Sequence, residues 1–200
     1  MMHLVTVTGM LGSGKTTLIL RLAEHAAGNG NKVAILVNEI GEIGIDNQFM
    51  RHLDFNVYEL LGGCICCTLA GDLVQTLAKL EASHRPDIVM LEPSGAADPK
   101  NVIRELQFYR RSALASQRCL AVLDPLRFKM FWEVLEPLVT SLITLADTIL
   151  INKVDLASAQ EVGETADRAA ALNPGAKLFR IRANLPLEPR LFSELMPCPS

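Results

Sequence analysis

Several absences narrow this 200-residue chain before any motif is considered. It has no excess of charge of one sign. Its 19 basic and 22 acidic side chains leave a formal net charge of −3 and are dispersed, so no nucleic-acid surface is expected. The one short basic cluster, Arg110-Arg111, reads as a solvated helix face. No uninterrupted apolar run reaches membrane-spanning length, which excludes a spanning helix. The apolar stretch Leu4–Val7 is too short for a signal-peptide core and runs straight into glycines. Internal repeats and a domain-separating linker are also lacking. The expectation is a cytoplasmic protein with no membrane partner and one sizeable core. Residues 1–184 form its domain, and 185–200 form a Pro-rich tail with little periodicity beyond a turn around Leu191–Leu195.

Within that frame, short apolar strands alternate with helical patterns. Strands are expected at Leu4–Thr8, Val33–Val37, Val57–Leu61, Asp87–Leu91, Leu120–Leu123, Thr148–Ile151 and Leu178–Ile181. Helices are expected at Lys15–Ala27, Leu69–Ser83, Pro99–Phe108, Leu126–Ala146 and Ser158–Leu172, with Pro137 breaking or kinking the fourth. Apolar strands separated by helices imply an α/β, three-layer fold: a mostly parallel sheet with helices on both faces. Ligands of such sheets gather at the carboxyl ends of the strands. Gly9–Thr16, Asn38–Asp46, Glu92–Gly95 and Asn152–Asp155 each follow a strand directly, so they are expected to share one rim.

The stretch Leu4–Leu18, LVTVTGMLGSGKTTL, has the spacing G-x-x-x-x-G-K-T of a nucleoside-triphosphate phosphate loop. Glycines let backbone N–H groups turn inward around phosphate oxygens, and the following helix N-terminus adds partial positive charge. Gly9, Gly12, Ser13, Gly14, Lys15, Thr16 and Thr17 are therefore nucleotide-binding candidates, Lys15 reaching the β- and γ-phosphates and Thr16 ligating Mg²⁺. The alternative is a Gly-rich turn before an ordinary helix.

Asn152-Lys153-Val154-Asp155 has the form N-K-x-D. Guanine presents N1–H and N2–H₂ donors side by side, a match for the Asp155 carboxylate that adenine lacks. Asn152 can bond the far edge of the base, and the Lys153 stem can pack on its face. The alternative is a polar turn with Asp155 as a helix cap. Glu92, at a strand end, is placed to hold Mg²⁺ through a water, and Gly95 lets a backbone N–H approach the γ-phosphate. In the acidic loop, Glu39 ranks as a metal ligand and Asp46 as the group that positions the attacking water, with a solvated loop as the plain alternative. Lys15, Asp46 and Glu92 are thus the catalytic candidates.

Five cysteines remain, and three crowd into Cys64-Ile65-Cys66-Cys67. Three thiolates within four residues can converge on Zn²⁺, Cu⁺ or a similar ion, leaving one tetrahedral position open. A fourth ligand at readable spacing is missing, which argues against a closed structural zinc site. Buried small hydrophobes or a redox pair are the alternatives. Cys119 reads as core and Cys198 as incidental, and His3, His25, His52 and His84 as surface or structural residues.

Taken together, these motifs resemble the CobW/HypB/UreG GTPases, most closely the CobW branch. The likeness rests on GMLGSGKTT at Gly9–Thr17, VNEIGEIGID at Val37–Asp46 and GGCICC at Gly62–Cys67, followed by EPSGAADP at Glu92–Pro99 and NKVD at Asn152–Asp155. The resemblance implies a slow, Mg²⁺-dependent GTP hydrolase whose GTP or GDP state controls metal handling or metalloenzyme maturation. By the same resemblance, Thr16, Glu39 and Glu92 serve Mg²⁺, and Cys64, Cys66 and Cys67 bind Zn²⁺, Co²⁺ or a related ion. The implied partner is a client metalloprotein or cobalamin-dependent enzyme. CobW proteins usually continue into a second domain, so the resemblance also implies that a partner protein or a homodimer acts in its place. Two other readings stay open: a small-molecule kinase, and a GTPase guarding a cobalamin-dependent enzyme with structural cysteines.

Overall fold

A computed structural model describes residues 2–37, 56–59, 70–95, 98–107, 109 and 114–197, with 56–59 and 70–72 described in backbone course alone. Among the described residues, seven strands form one sheet: β1 (Met2–Gly9), β2 (Val33–Val37), β3 (Asn56–Glu59), β4 (Ile88–Glu92), β5 (Leu114–Leu123), β6 (Thr148–Ile151) and β7 (Lys177–Arg180). Their spatial order is β3-β2-β4-β1-β5-β6-β7, and every pairing among the described residues is parallel. The helices are α1 (Lys15–Gly28), α2 (Ala70–Ser83), α3 (Pro99–Leu106), α4 (Pro125–Thr144), α5 (Ala159–Leu172) and α6 (Pro189–Leu195).

Alternation along the strands divides the core into two faces. Val5, Val7, Ile35, Met90 and Val122 point toward α1, packing with Leu18, Leu22 and Ala26. Leu4, Leu36, Val89 and Leu91 face the other way, against Leu73 and Leu77 of α2 and Val102 of α3. Ala121, Leu123 and Ile149 continue that second face beneath α4 and α5. Central strands covered on both sides must be apolar at successive positions, which is why they read as unbroken hydrophobic runs.

Differences from the sequence reading have physical causes. β5 begins six residues earlier than expected, because Leu114–Arg118 alternates half-buried with exposed positions beside β1 rather than being wholly apolar. Its register is marked by His3 Nδ1 and Ser116 Oγ, 2.8 Å apart. α4 is continuous except at Leu135, whose φ of −132° and ψ of 36° absorb the demand of Pro137 two residues later. Beyond residue 184 the chain packs on the domain: Leu187, Leu195 and Met196 join the same core as α1, and Phe192 stacks on His25 with centroids 3.7 Å apart. Among the described residues no helix is long and apolar enough to cross a membrane.

Candidate nucleotide site

β1, β4, β5 and β6 end along one rim, and hydrogen bonds across that rim join three of the four expected segments. Gly14 occupies the N-cap of α1 in the left-handed region, with φ of 100°. A Cβ there would lie 2.3 Å from Asn152 Nδ2, so glycine serves both the turn and the close approach. The loop then feeds Lys15 and Thr16 into the first turn of α1, where free backbone N–H groups accumulate.

Lys15 is 3% exposed and Glu92, the last residue of β4, is 1% exposed. Charges so deeply buried require partners. Lys15 Nζ donates to the Met10 carbonyl at 3.3 Å and lies 3.9 Å from Glu92 Oε1. The Thr16 hydroxyl donates to that same Oε1 at 2.8 Å. A hydroxyl and a carboxylate oxygen in contact are hard donors of the kind Mg²⁺ takes, so the residues present fit that ion. Ser13 Oγ is buried with no hydrogen-bond partner among the described residues.

At the other end of the rim, Asn152 (3% exposed) is a tie between segments. Its Nδ2 donates to the Ser13 carbonyl at 2.8 Å, and its Oδ1 accepts from Ala183 N at 2.9 Å. These bonds occupy much of the amide that the sequence reading assigned to the base, leaving the second Nδ2 hydrogen for that contact. Lys153 has φ of 59°, uncommon for a residue with a Cβ. It is held there by two bonds from Nζ, to the Gly12 carbonyl at 2.6 Å and to Asp124 Oδ2 at 2.7 Å. Asp155 is exposed and makes no hydrogen bond or ion pair among the described residues.

Gly95 lies against the loop, where a Cβ would fall 2.7 Å from Leu11 N and 3.1 Å from Leu11 Cα. Thr17 is exposed on the first turn of α1. Glu39, Asp46, Cys64, Cys66 and Cys67 lie outside the described residues. Among those described, no three His, Cys, Asp or Glu side chains converge as a metal-binding group. The sequence reading missed Asp124, Arg127 and Ala183. Asp124 had a signal: an acid at a strand end followed by Pro125 at the first helical position, where it caps α4 by accepting from Leu126 N at 3.1 Å. Ala183 acts through its backbone N–H and had none.

Residues 3–180 match the family described as CobW/HypB/UreG, nucleotide-binding domain. The zinc chaperone CobW of Sinorhizobium sp is 38% identical over 104 residues, 48% of this chain and 29% of that protein. The zinc chaperone YjiA of Escherichia coli (strain K12) is 28% identical over 188 residues, 88% of this chain and 56% of that protein. This chain therefore spans between about a third and a little over half of those relatives. The fold is also that of Zn(II)-bound YjiA GTPase from E. coli, with a TM-score of 0.64 at 21% identity over 89% of this chain and 57% of that one.

Proposed function

The chain belongs to the CobW/HypB/UreG family of nucleotide-binding domains, and we propose that it is a Mg²⁺-dependent GTPase that couples its nucleotide to the binding and delivery of a transition metal. The observation that carries this reading is the set of contacts Thr16–Glu92, Lys15–Glu92, Asn152–Ser13 and Lys153–Gly12, which unites a phosphate loop, a metal-facing carboxylate and an N-K-x-D turn. Relatives named zinc chaperones support the cargo.

In this reading the loop amides and Lys15 bind the phosphates, with Gly95 keeping the loop in place. Thr16, Glu92 and Glu39 hold Mg²⁺, which would supply charge neutralisation at the β- and γ-phosphates. Asp155 accepts from guanine N1–H and N2–H₂, while Lys153 lines the base and Asn152 fixes the loop to the base-reading turn. Asp46 positions the attacking water. Rejecting adenine follows from chemistry, since the wrong base would leave the Asp155 acceptor unpaired.

Cys64, Cys66 and Cys67 take up Zn²⁺ or Co²⁺ as cargo. Their segment and the acidic segment 38–48 bracket β3, so ordering of the first by a γ-phosphate would alter the spacing of the thiols in the second. GTP affinity and metal affinity are then linked reciprocally. The client is a metalloprotein or a cobalamin-dependent enzyme, reached alone or as a homodimer in a reducing cytoplasm that keeps the thiols free.

The test is metal titration of reduced protein with GDP and with a non-hydrolysable GTP analogue, alongside Cys66→Ser. Different metal affinities in the two nucleotide states, both lost in Cys66→Ser, support the proposal. Equal affinities end the coupling, and protection by ATP but not GTP would return the kinase reading.

A further inference from the structure

Arg127 meets the phosphate loop at its midpoint. A Cβ built on Gly12 would lie 2.7 Å from Arg127 Nη1 and 3.5 Å from Cζ, so the guanidinium rests against that glycine. The other two cations at the loop are already neutralised: Lys15 lies 3.9 Å from Glu92, and Lys153 lies 2.7 Å from Asp124. The Gly12 carbonyl accepts from Lys153 Nζ at 2.6 Å. Among the described residues the exposed Arg127 guanidinium has no hydrogen bond or ion pair.

Its place on α4 is also unfavourable locally. Asp124 is the N-cap and Pro125 the first helical residue, which puts Arg127 at the third helical position. That is where a capping box places Glu or Gln, and where the partial positive charge of a helix start disfavours a cation. By contrast, α5 follows the rule, with Ser158 as cap and Glu161 at the third position. A local rule broken beside an anion-binding loop points to the anion as the compensation.

We infer that Arg127 is a further nucleotide-binding residue, its guanidinium leaving Gly12 to donate charge-assisted hydrogen bonds to the phosphate chain. This rests on the proposed occupancy of the loop by a guanine nucleotide. It adds a positive charge supplied by α4 to the loop amides and Lys15. Arginine suits the task because its planar fork can engage two phosphate oxygens together.

The test is equilibrium binding of GDP and of a non-hydrolysable GTP analogue, with Mg²⁺, to the wild-type chain and to Arg127→Ala, Arg127→Met and Arg127→Lys. Thermal unfolding of each variant accompanies the titrations. The expected result is a loss of about tenfold or more in affinity for Ala and Met and a smaller loss for Lys, which keeps the charge but not the fork, with unchanged unfolding midpoints. The loss should shrink at high salt, because the contact is between exposed charges. Binding within twofold of wild type in Arg127→Ala overturns the inference while leaving the functional reading intact. Equal behaviour of Met and Lys also overturns it, since packing and not charge would then be responsible. A wild-type chain that binds neither nucleotide overturns both.

Discussion

Asn152 and Ser13 are 139 residues apart in sequence, and the amide of one donates to the backbone carbonyl of the other at 2.8 Å within the buried rim. The same side chain accepts from Ala183 N at 2.9 Å. Replacing Asn152 with Ala leaves a buried acceptor and a buried donor unpaired, at about 1–3 kcal/mol each. The expected outcome is a lower unfolding midpoint and weaker binding of every nucleotide. Asp155→Ala, at an exposed carboxylate, should leave stability within about 0.5 kcal/mol of wild type and weaken guanine nucleotides specifically. Denaturant titration and nucleotide binding on both variants check the contrast. Equal loss of stability in the two would contradict it.

Gly95→Ala should act on the loop from behind. The new methyl group would sit 2.7 Å from Leu11 N and 3.2 Å from Met10 C, both backbone atoms, so the loop itself has to move. Overpacking of this kind costs about 1–3 kcal/mol. Calorimetric titration with GDP should show at least tenfold weaker binding, and an unchanged affinity would mean that the loop yields without consequence.

Glu105 on α3 is 6% exposed, and one of its oxygens has no hydrogen-bond partner among the described residues. Burial pushes its pKa above the ordinary carboxylate value, with Arg104 opposing. The folded chain thus holds this proton more tightly than the unfolded chain. Its stabilising contribution is complete below pH 4.5 and is lost as pH rises through the folded-state pKa. Glu105→Gln should therefore raise the unfolding midpoint more at pH 7 than at pH 4. A gain that is the same at both values would contradict the assignment.

Cys119 offers an internal control for the loop thiols. Burial, and then the charge of Asp147, push its pKa up to about 12, so it carries almost no thiolate at pH 8. Iodoacetamide mapped by peptide mass should modify Cys119 only after unfolding. Cys64, Cys66 and Cys67 should react in the folded chain and be protected by Zn²⁺. Rapid labelling of Cys119 in the folded state would count against the buried placement, and indifference of the trio to Zn²⁺ against their role in binding it.

The sequence carried the central sheet plainly, because strands sandwiched between helix layers must be apolar throughout. Val33–Val37 and Thr148–Ile151 are bounded in the structure where the hydrophobic runs begin and end. Edges and half-exposed strands were harder: the first half of β5 holds Ser116, Gln117 and Arg118 in succession and lacks such a run. Loop glycines and the lysine and threonine beside them were legible through their spacing. What spacing concealed was division of labour. Asn152 looked like a base-reading group, yet most of its amide bonds backbone, a role decided by atoms 31 and 139 residues away. Arg127 was missed for a similar reason, since its nearness to Gly12 depends on the end of β5 lying alongside the loop after β1.

Because the strut on Ser13 arrives so late in the sequence, the site has a history within each molecule. Asn152 is synthesised 139 residues after Ser13, and Ala183 a further 31 residues on. At common elongation rates of 5–20 residues per second, the loop waits on the order of ten seconds for its tie. A nascent chain stopped before Asn152 would carry the phosphate-loop sequence without the contacts that hold it in shape. Competence to bind nucleotide would then report completion of the sheet through β6 and the turn after β7, making ligand capture a natural end point of maturation for this domain.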